Sequence, residues 1–177
     1  MTEPPAARPA LAVLIGPPGA GKSAVGPLLA ELLGASFRDT DADIAAATGQ
    51  LVSDIFIEQG EPAFRQLERE AAARALREHG GVLALGSGAV LDPDLQHRLE
   101  GLSVVYLAAD FLTVARRLGL DRPRVVIPGN PRGRLRAMLE ERRPLYERLA
   151  SVTVPTDDLD LEELADQIAA ELSERPR

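Results

Sequence analysis

Leu14-Ile15-Gly16-Pro17-Pro18-Gly19-Ala20-Gly21-Lys22-Ser23-Ala24-Val25, "LIGPPGAGKSAV", decides how this chain folds. The apolar run "ALAVLI" (10–15) leads into it as a buried strand. "KSAVGPLLAELLG" leaves it as a helix, with Gly34 at the stop. Between them, Gly16–Ser23 fits G-x-x-x-x-G-K-[ST] in a strand-loop-helix setting. Such a loop lets backbone N–H groups approach a phosphate chain, because glycines tolerate the required backbone angles. The helix beginning near Lys22 aims its positive dipole end at the anion. Lys22 would reach the β- and γ-phosphates, and the Ser23 hydroxyl would ligate Mg2+. The alternative is a tight strand-to-helix turn that matches by chance.

A count of basic residues favours the phosphate reading. Of 20 basic residues only one is lysine, and it is Lys22. A slim ammonium fits between phosphates where a planar guanidinium does not. The motif points to nucleotide binding and leaves the reaction open, since motors, switches and transporters share it. At 177 residues the chain is short for a motor or transporter cassette, and it has no N-K-x-D base-recognition motif.

Composition narrows the class. The length suits one domain, and 45% hydrophobic residues suffice for a core. With 3% aromatics that core must be aliphatic, which suits a helix-covered sheet better than a β-sandwich. The absence of cysteine excludes disulfides, thiolate metal sites and cysteine nucleophiles. Two histidines, His79 and His97, are too few for a histidine-rich zinc site. No apolar stretch approaches the roughly 20 residues of a membrane span. "MTEPPAARPA" lacks the apolar centre of a secretory signal, so residues 1–9 are expected to be a disordered tail and the protein cytoplasmic. A net charge of −7 argues against general nucleic-acid binding. Charge is uneven: Arg116–Arg148 holds ten arginines against four acids. That segment could hold a compact anion or form a solvated helix laced with salt bridges.

Further along, apolar strands alternate with helices. Strands are expected at "ASFRDTD" (short, running into a loop), "VLALG" (82–86), "SVVYLA" (103–108) and "SVTVPT". Helices are expected over "DADIAAATG", "SDIFIEQG", "EPAFRQLEREAAARALREHGG", "DPDLQHRLEG" (capped by Asp92), "DFLTVARRLG", "RLRAMLEERRPLYERLA" (with a kink at Pro144) and "DLEELADQIAAEL". About five strand-helix units imply a three-layer α/β fold with a mostly parallel sheet. Residues 10–174 form one domain, with 175–177 a tail and "LDRPRVVIPGNPRG" the centre of a mobile lid over about 119–133.

On the acceptor side, "FRDTDADI" places Asp39 and Asp41 two apart after a short strand, on one side of the chain. One carboxylate could hold Mg2+ through water while the other orients a substrate hydroxyl or takes its proton. Alternatively, Asp41 is a helix N-cap.

In order, the phosphate loop, D-T-D, "DIFIEQGEPAFRQLE", "VLALGSGAV", the R-P of the lid and "RRPLYERLA" resemble shikimate kinase over roughly residues 10–170. The resemblance implies a P-loop kinase fold of the nucleoside-monophosphate-kinase type, with a five-stranded parallel sheet of order 2-3-1-4-5. It implies transfer of the ATP γ-phosphate to the 3-hydroxyl of shikimate in aromatic amino-acid biosynthesis, with one Mg2+ per bound ATP. ATP and shikimate are then the partners of a monomer that binds neither nucleic acid nor membrane. Carried over by position, Lys22, Asp41 and Arg122 are catalytic, Asp41 as the base and Arg122 closing over the phosphoryl group. Gly19, Ala20, Gly21, Lys22, Ser23, Ala24, Arg117 and Arg122 bind the nucleotide, Arg117 stacking near adenine, with Arg116 as its rival. Asp41, Arg65, Gly86, Ser87, Gly88 and Arg142 bind shikimate, the two arginines gripping its carboxylate. Ser23 and Asp39 serve the metal.

The chain departs from the family at Ser87, where the family has the middle of three glycines, and "LGLD" before Arg122 is short for the family. We expect a negative φ at Ser87, with its hydroxyl on a substrate hydroxyl or on Asp41. Taken singly, Arg65 could pair with Glu61 or Glu68 along its helix, and Arg142 could be solvated. The competing functions are another small-molecule P-loop kinase, of the gluconate or nucleoside-monophosphate type, and a non-catalytic regulator that binds shikimate and ATP.

Overall fold

Every residue of the strand Ala12–Ile15 is buried, so the sheet around it must be covered on both faces. The computed structural model describes residues 9–121 and 129–174. Most of the two expected tails, and the centre of the expected lid with Arg122, lie outside the described residues. The strands are β1 (Ala12–Ile15), β2 (Phe37–Asp39), β3 (Val82–Ala84), β4 (Val104–Ala108) and β5 (Val152–Pro155). The helices are α1 (Lys22–Leu32), α2 (Thr40–Thr48), α3 (Val52–Gln59), α4 (Glu61–Glu78), α5 (Pro93–Leu99), α6 (Phe111–Arg117), α7 (Pro131–Leu149) and α8 (Leu161–Ser173). The strands form one parallel sheet of order β2-β3-β1-β4-β5, as the resemblance implies.

The period-two alternation of each strand feeds two cores. Ala12, Leu14, Ala84, Val105 and Leu107 pack against Val25 and Leu29 of α1 and Leu164 and Ile168 of α8. Val13, Ile15, Leu83, Val104 and Tyr106 face the other way, toward Ala72 and Ala75 of α4, Leu95 and Leu99 of α5 and Tyr146 of α7. Smaller clusters join α6 to α7 through Val114, Leu135 and Leu139, and α2 and α3 to α4 through Ile44, Ile55 and Phe64. The carboxyl ends of β2, β3 and β1 lie side by side, where ligands bind in open parallel sheets.

Two local expectations change. Asp39, not Asp41, caps α2: its carboxylate accepts from the Asp41 N–H, and Asp41 lies in the first turn. The lid range 119–133 is too long at its far end, because Asn130 caps α7 by accepting from Gly133 N–H and Pro131 opens the helix. Proline at that first position loses no intrahelical hydrogen bond. The helix then runs through Pro144 to Leu149, as one element across the second proline.

Candidate active site

The loop after β1 has the backbone its sequence demands. Gly19 and Gly21 sit at φ 74° and 100°, a region that side-chain-bearing residues rarely enter. Gly21 precedes α1 without any side-chain cap, which leaves that end of the helix open to an anion. Lys22 folds back over the loop, and its Nζ donates to the carbonyls of Gly16 (2.7 Å) and Pro17 (3.0 Å). Burial lowers its pKa to about 8; Arg142 pushes the same way, while Asp41, Asp39 and Glu68 oppose. The ammonium is still mostly charged at neutral pH, and bound phosphate would hold it so.

The Ser23 hydroxyl donates to Asp39 Oδ2, which joins α1 to the end of β2. Among the described residues no group of three or more His, Cys, Asp or Glu side chains is arranged for a metal. The chain instead offers a pair of hard oxygen donors beside the phosphate loop. That fits Mg2+, which takes few protein ligands and completes its shell with phosphate and water.

On the other side of the loop, a cleft of about 720 Å³ is lined by Ala20, Gly21, Ala24, Arg117, Leu159 and Leu161. Arg117 faces the loop: its guanidinium donates to Gly19 O (3.0 Å) and to Thr156 O (2.8 Å). Arg116 and Arg117 are both exposed, and it is Arg117 whose guanidinium is hydrogen-bonded to the loop.

The turn Gly86–Gly88 is the hub of the acceptor side. Each of its polar backbone groups but one is held by a side chain from a different element or by its own turn. Gly86 N–H donates to Thr40 Oγ1 (3.0 Å), Gly88 N–H to Glu68 Oε1 (3.1 Å), and Ser87 O accepts from Tyr146 Oη (2.7 Å). The Ser87 N–H has no protein partner among the described residues, which leaves it for a ligand. The flanking glycines are needed for space. A Cβ on Gly86 would lie 2.5 Å from Glu68 Oε1 and 2.9 Å from Asp41 Oδ1, and one on Gly88 would overlap the Arg65 guanidinium. They therefore bring Asp41, Glu68 and Arg65 against the turn, in addition to any closeness to a substrate ring.

Around this hub, Asp41, Arg65 and Arg142 converge. Asp41 Oδ1, Arg65 Nε and Arg142 Nε are buried without a hydrogen-bond partner. Burial raises the Asp41 pKa to about 6, with Asp39 and Glu68 adding repulsion and Lys22 and Arg65 opposing it. Arg65 binds both rival partners named from its helix, Glu68 at 2.6 Å and Glu61 at 3.3 Å. Arg142 is not solvated: it is 7% exposed and makes no ion pair among the described residues. Ser87 has a negative φ as expected, since no described non-glycine residue has a positive one. Its hydroxyl, however, meets Arg142 Nη1 (3.3 Å) and not Asp41.

Thr40, Glu68 and Tyr146 were not among the expected site residues. Glu68 could have been found from the sequence. It falls four residues after Phe64 and three before Ala71, on the apolar face of α4, and it is 2% exposed. A carboxylate at such a position needs a partner. Thr40 and Tyr146 act on backbone groups of a distant turn, and no local pattern records that.

Comparison with known proteins places this geometry. A family model described as shikimate kinase matches residues 18–173. The shikimate kinase of Thermobifida fusca is 54% identical over 92% of this chain and 94% of its own. That of Salinispora arenicola is 50% identical over 91% of this chain and 96% of its own. A structure of shikimate kinase from Acinetobacter baumannii in complex with shikimate superposes with a TM-score of 0.84, at 34% identity, covering 96% of each chain. The phosphate loop, the paired aspartates and the arginine-ringed glycine turn thus sit in a chain that belongs to the shikimate kinase family.

Proposed function

We propose that this chain is an ATP-dependent shikimate 3-kinase, working in aromatic amino-acid biosynthesis, with the residue roles that follow. The observation that carries those roles is the set of unmatched buried atoms around Gly86–Gly88. A buried guanidinium without a carboxylate is costly, so Arg142 calls for an anion. A buried carboxylate oxygen without a donor calls for a hydroxyl, and Asp41 supplies that oxygen. A small acceptor with a carboxylate at one end and hydroxyls at the other satisfies both, and shikimate has that form. Arg65 and Arg142 hold its carboxylate, and Asp41 orients the 3-hydroxyl and takes its proton as the bond to phosphorus forms. With a pKa near 6, Asp41 is ionised at neutral pH yet basic enough to share that proton.

On the donor side, the backbone of Gly19, Ala20 and Gly21 cradles the phosphates, and Lys22 exchanges the carbonyls of Gly16 and Pro17 for phosphate oxygens. Ala24 and Arg117 border the nucleoside. Ser23 would hold one Mg2+ per ATP directly, with Asp39 supporting it. When bound, the ion neutralises charge on the β- and γ-phosphoryl oxygens. Arg122 is assigned to the transferring phosphoryl group by family resemblance. Catalysis here is chiefly positioning and charge compensation, because a phosphoryl group passing through a loose transition state asks little covalent chemistry of the protein. The reading carries with it a cytoplasmic monomer; no described helix is long and apolar enough to cross a membrane.

The test is ADP release with Mg-ATP and shikimate, gluconate or AMP in parallel. Turnover with shikimate at least about 100-fold above the other two, a difference of roughly 2.7 kcal/mol, is expected. Turnover with gluconate or AMP instead, or shikimate binding without ADP release, would overturn the reading.

A further inference from the structure

Ser87 stands out in the glycine turn because nothing in the fold requires its side chain. Across Gly81–Val90 it is the one residue that is not buried, so the turn is partly exposed at this point. Its carbonyl is fixed by Tyr146, and its negative φ suits any residue. The hydroxyl takes no part in holding the turn. It accepts from Arg142 Nη1 (3.3 Å), whose guanidinium also lies beside the Tyr146 phenol.

Two consequences follow from hydrogen-bond capacity. A guanidinium has five N–H donors in a rigid plane, and one contact to Ser87 limits its rotation while leaving four donors for a ligand. A hydroxyl that accepts from Arg142 must point its own O–H elsewhere, and that proton has no acceptor among the described residues. The unused Ser87 N–H belongs to the same residue. Ser87 therefore presents two donors beside a guanidinium that lacks a counterion.

We propose that the Ser87 hydroxyl is a specificity-determining group for the acceptor carboxylate: it sets the Arg142 fork and donates its own proton to the anion held there. This rests on the reading of Arg142 as the carboxylate grip. It makes the carboxylate end of the acceptor, rather than its hydroxyl end, the part that Ser87 senses.

The experiment compares wild type, Ser87→Ala and Ser87→Gly with shikimate and with its carboxamide, in which the anionic end is neutral and the reacting hydroxyl unchanged. The 3.3 Å contact is long, so the effect lies within the range of an ordinary hydrogen bond. Both variants should raise KM for shikimate about fivefold with kcat within about twofold. With the carboxamide, the same substitutions should change kcat/KM by less than about twofold. A merely structural role would penalise both acceptors equally and lower kcat, and either result overturns the inference. Unchanged KM for shikimate in both variants overturns it as well. If wild type does not phosphorylate shikimate at all, the acceptor reading falls first and this inference falls with it. Thermal melts of the three proteins should agree closely, because the turn is held by Thr40, Glu68 and Tyr146.

Discussion

The two halves of the site meet their ligands in opposite states. Around the phosphate loop the side chains are satisfied: Lys22 sits on two carbonyls of its own loop, Ser23 on Asp39, and Arg117 on Gly19 and Thr156. The acceptor pocket does not, and keeps Asp41 Oδ1, Arg65 Nε and Arg142 Nε buried and unmatched. The first half is centred on one contiguous segment, Gly16–Ser23, which Asp39 and Arg117 reach from other elements. The second is assembled from side chains of α2, α4 and α7 around the turn after β3. A self-satisfied loop must exchange internal hydrogen bonds for phosphate contacts, whereas the pocket gains contacts it lacked. On the proposed reading the donor side would exchange hydrogen bonds locally, while the turn of the acceptor side is pinned by Thr40, Glu68 and Tyr146.

The largest test of this contrast is Lys22→Arg. It preserves charge but not the slim shape that lets Nζ pass from carbonyls to phosphates, so turnover should fall by about 10³-fold or more with the fold intact. Turnover within about threefold of wild type, roughly 0.65 kcal/mol, would remove the significance of the lone lysine. Asp41→Asn acts on the other half. Because Asp39 caps α2, the helix should survive, and kcat should fall by roughly 10²–10⁴ with ATP affinity unchanged. An unchanged kcat would reduce Asp41 to a structural role.

Glu68→Ala should damage the framework rather than the chemistry. It leaves Arg65 without its closer partner and Gly88 N–H without an acceptor. Loss of one member of a buried pair costs about 3–5 kcal/mol; Arg65 is partly exposed, so the low end applies, seen as a lower denaturation midpoint and a raised shikimate KM. Unaltered stability would mean that the turn does not depend on this pin.

Tyr146→Phe is the mildest, at about 1 kcal/mol for one lost hydrogen bond to Ser87 O. It also carries a pH signature. Burial pushes the Tyr146 phenol up to about 12, whereas an unfolded tyrosine ionises near 10. The folded phenol holds its proton more tightly, so its stabilisation is intact below about pH 10 and is lost as pH rises toward 12. Denaturation midpoints measured across that window should fall more steeply in wild type than in Tyr146→Phe; parallel curves would contradict this.

The same contrast explains what the sequence disclosed. The phosphate loop was legible because binding by backbone requires glycines at fixed spacing between a strand and a helix, all within Gly16–Ser23. The sheet order and the acceptor residues came from the ordered resemblance, since no spacing rule brings Arg65 and Arg142 to one turn. Where local reasoning was used alone it was mixed. Asp92 caps α5 as its position suggests, yet the α2 cap considered at Asp41 falls on Asp39. Glu68 was hidden because a search for apolar spacing passes over a buried acid. The Ser87 hydroxyl found Arg142, because α7 delivers that guanidinium to the turn across 55 residues of chain.

Calorimetric titration of shikimate into nucleotide-free protein tests the division between the two halves most directly. Saturable binding is expected in wild type, retained in Lys22→Arg and lost in Arg142→Ala. Binding that disappears with Lys22→Arg, or persists in Arg142→Ala, would contradict it.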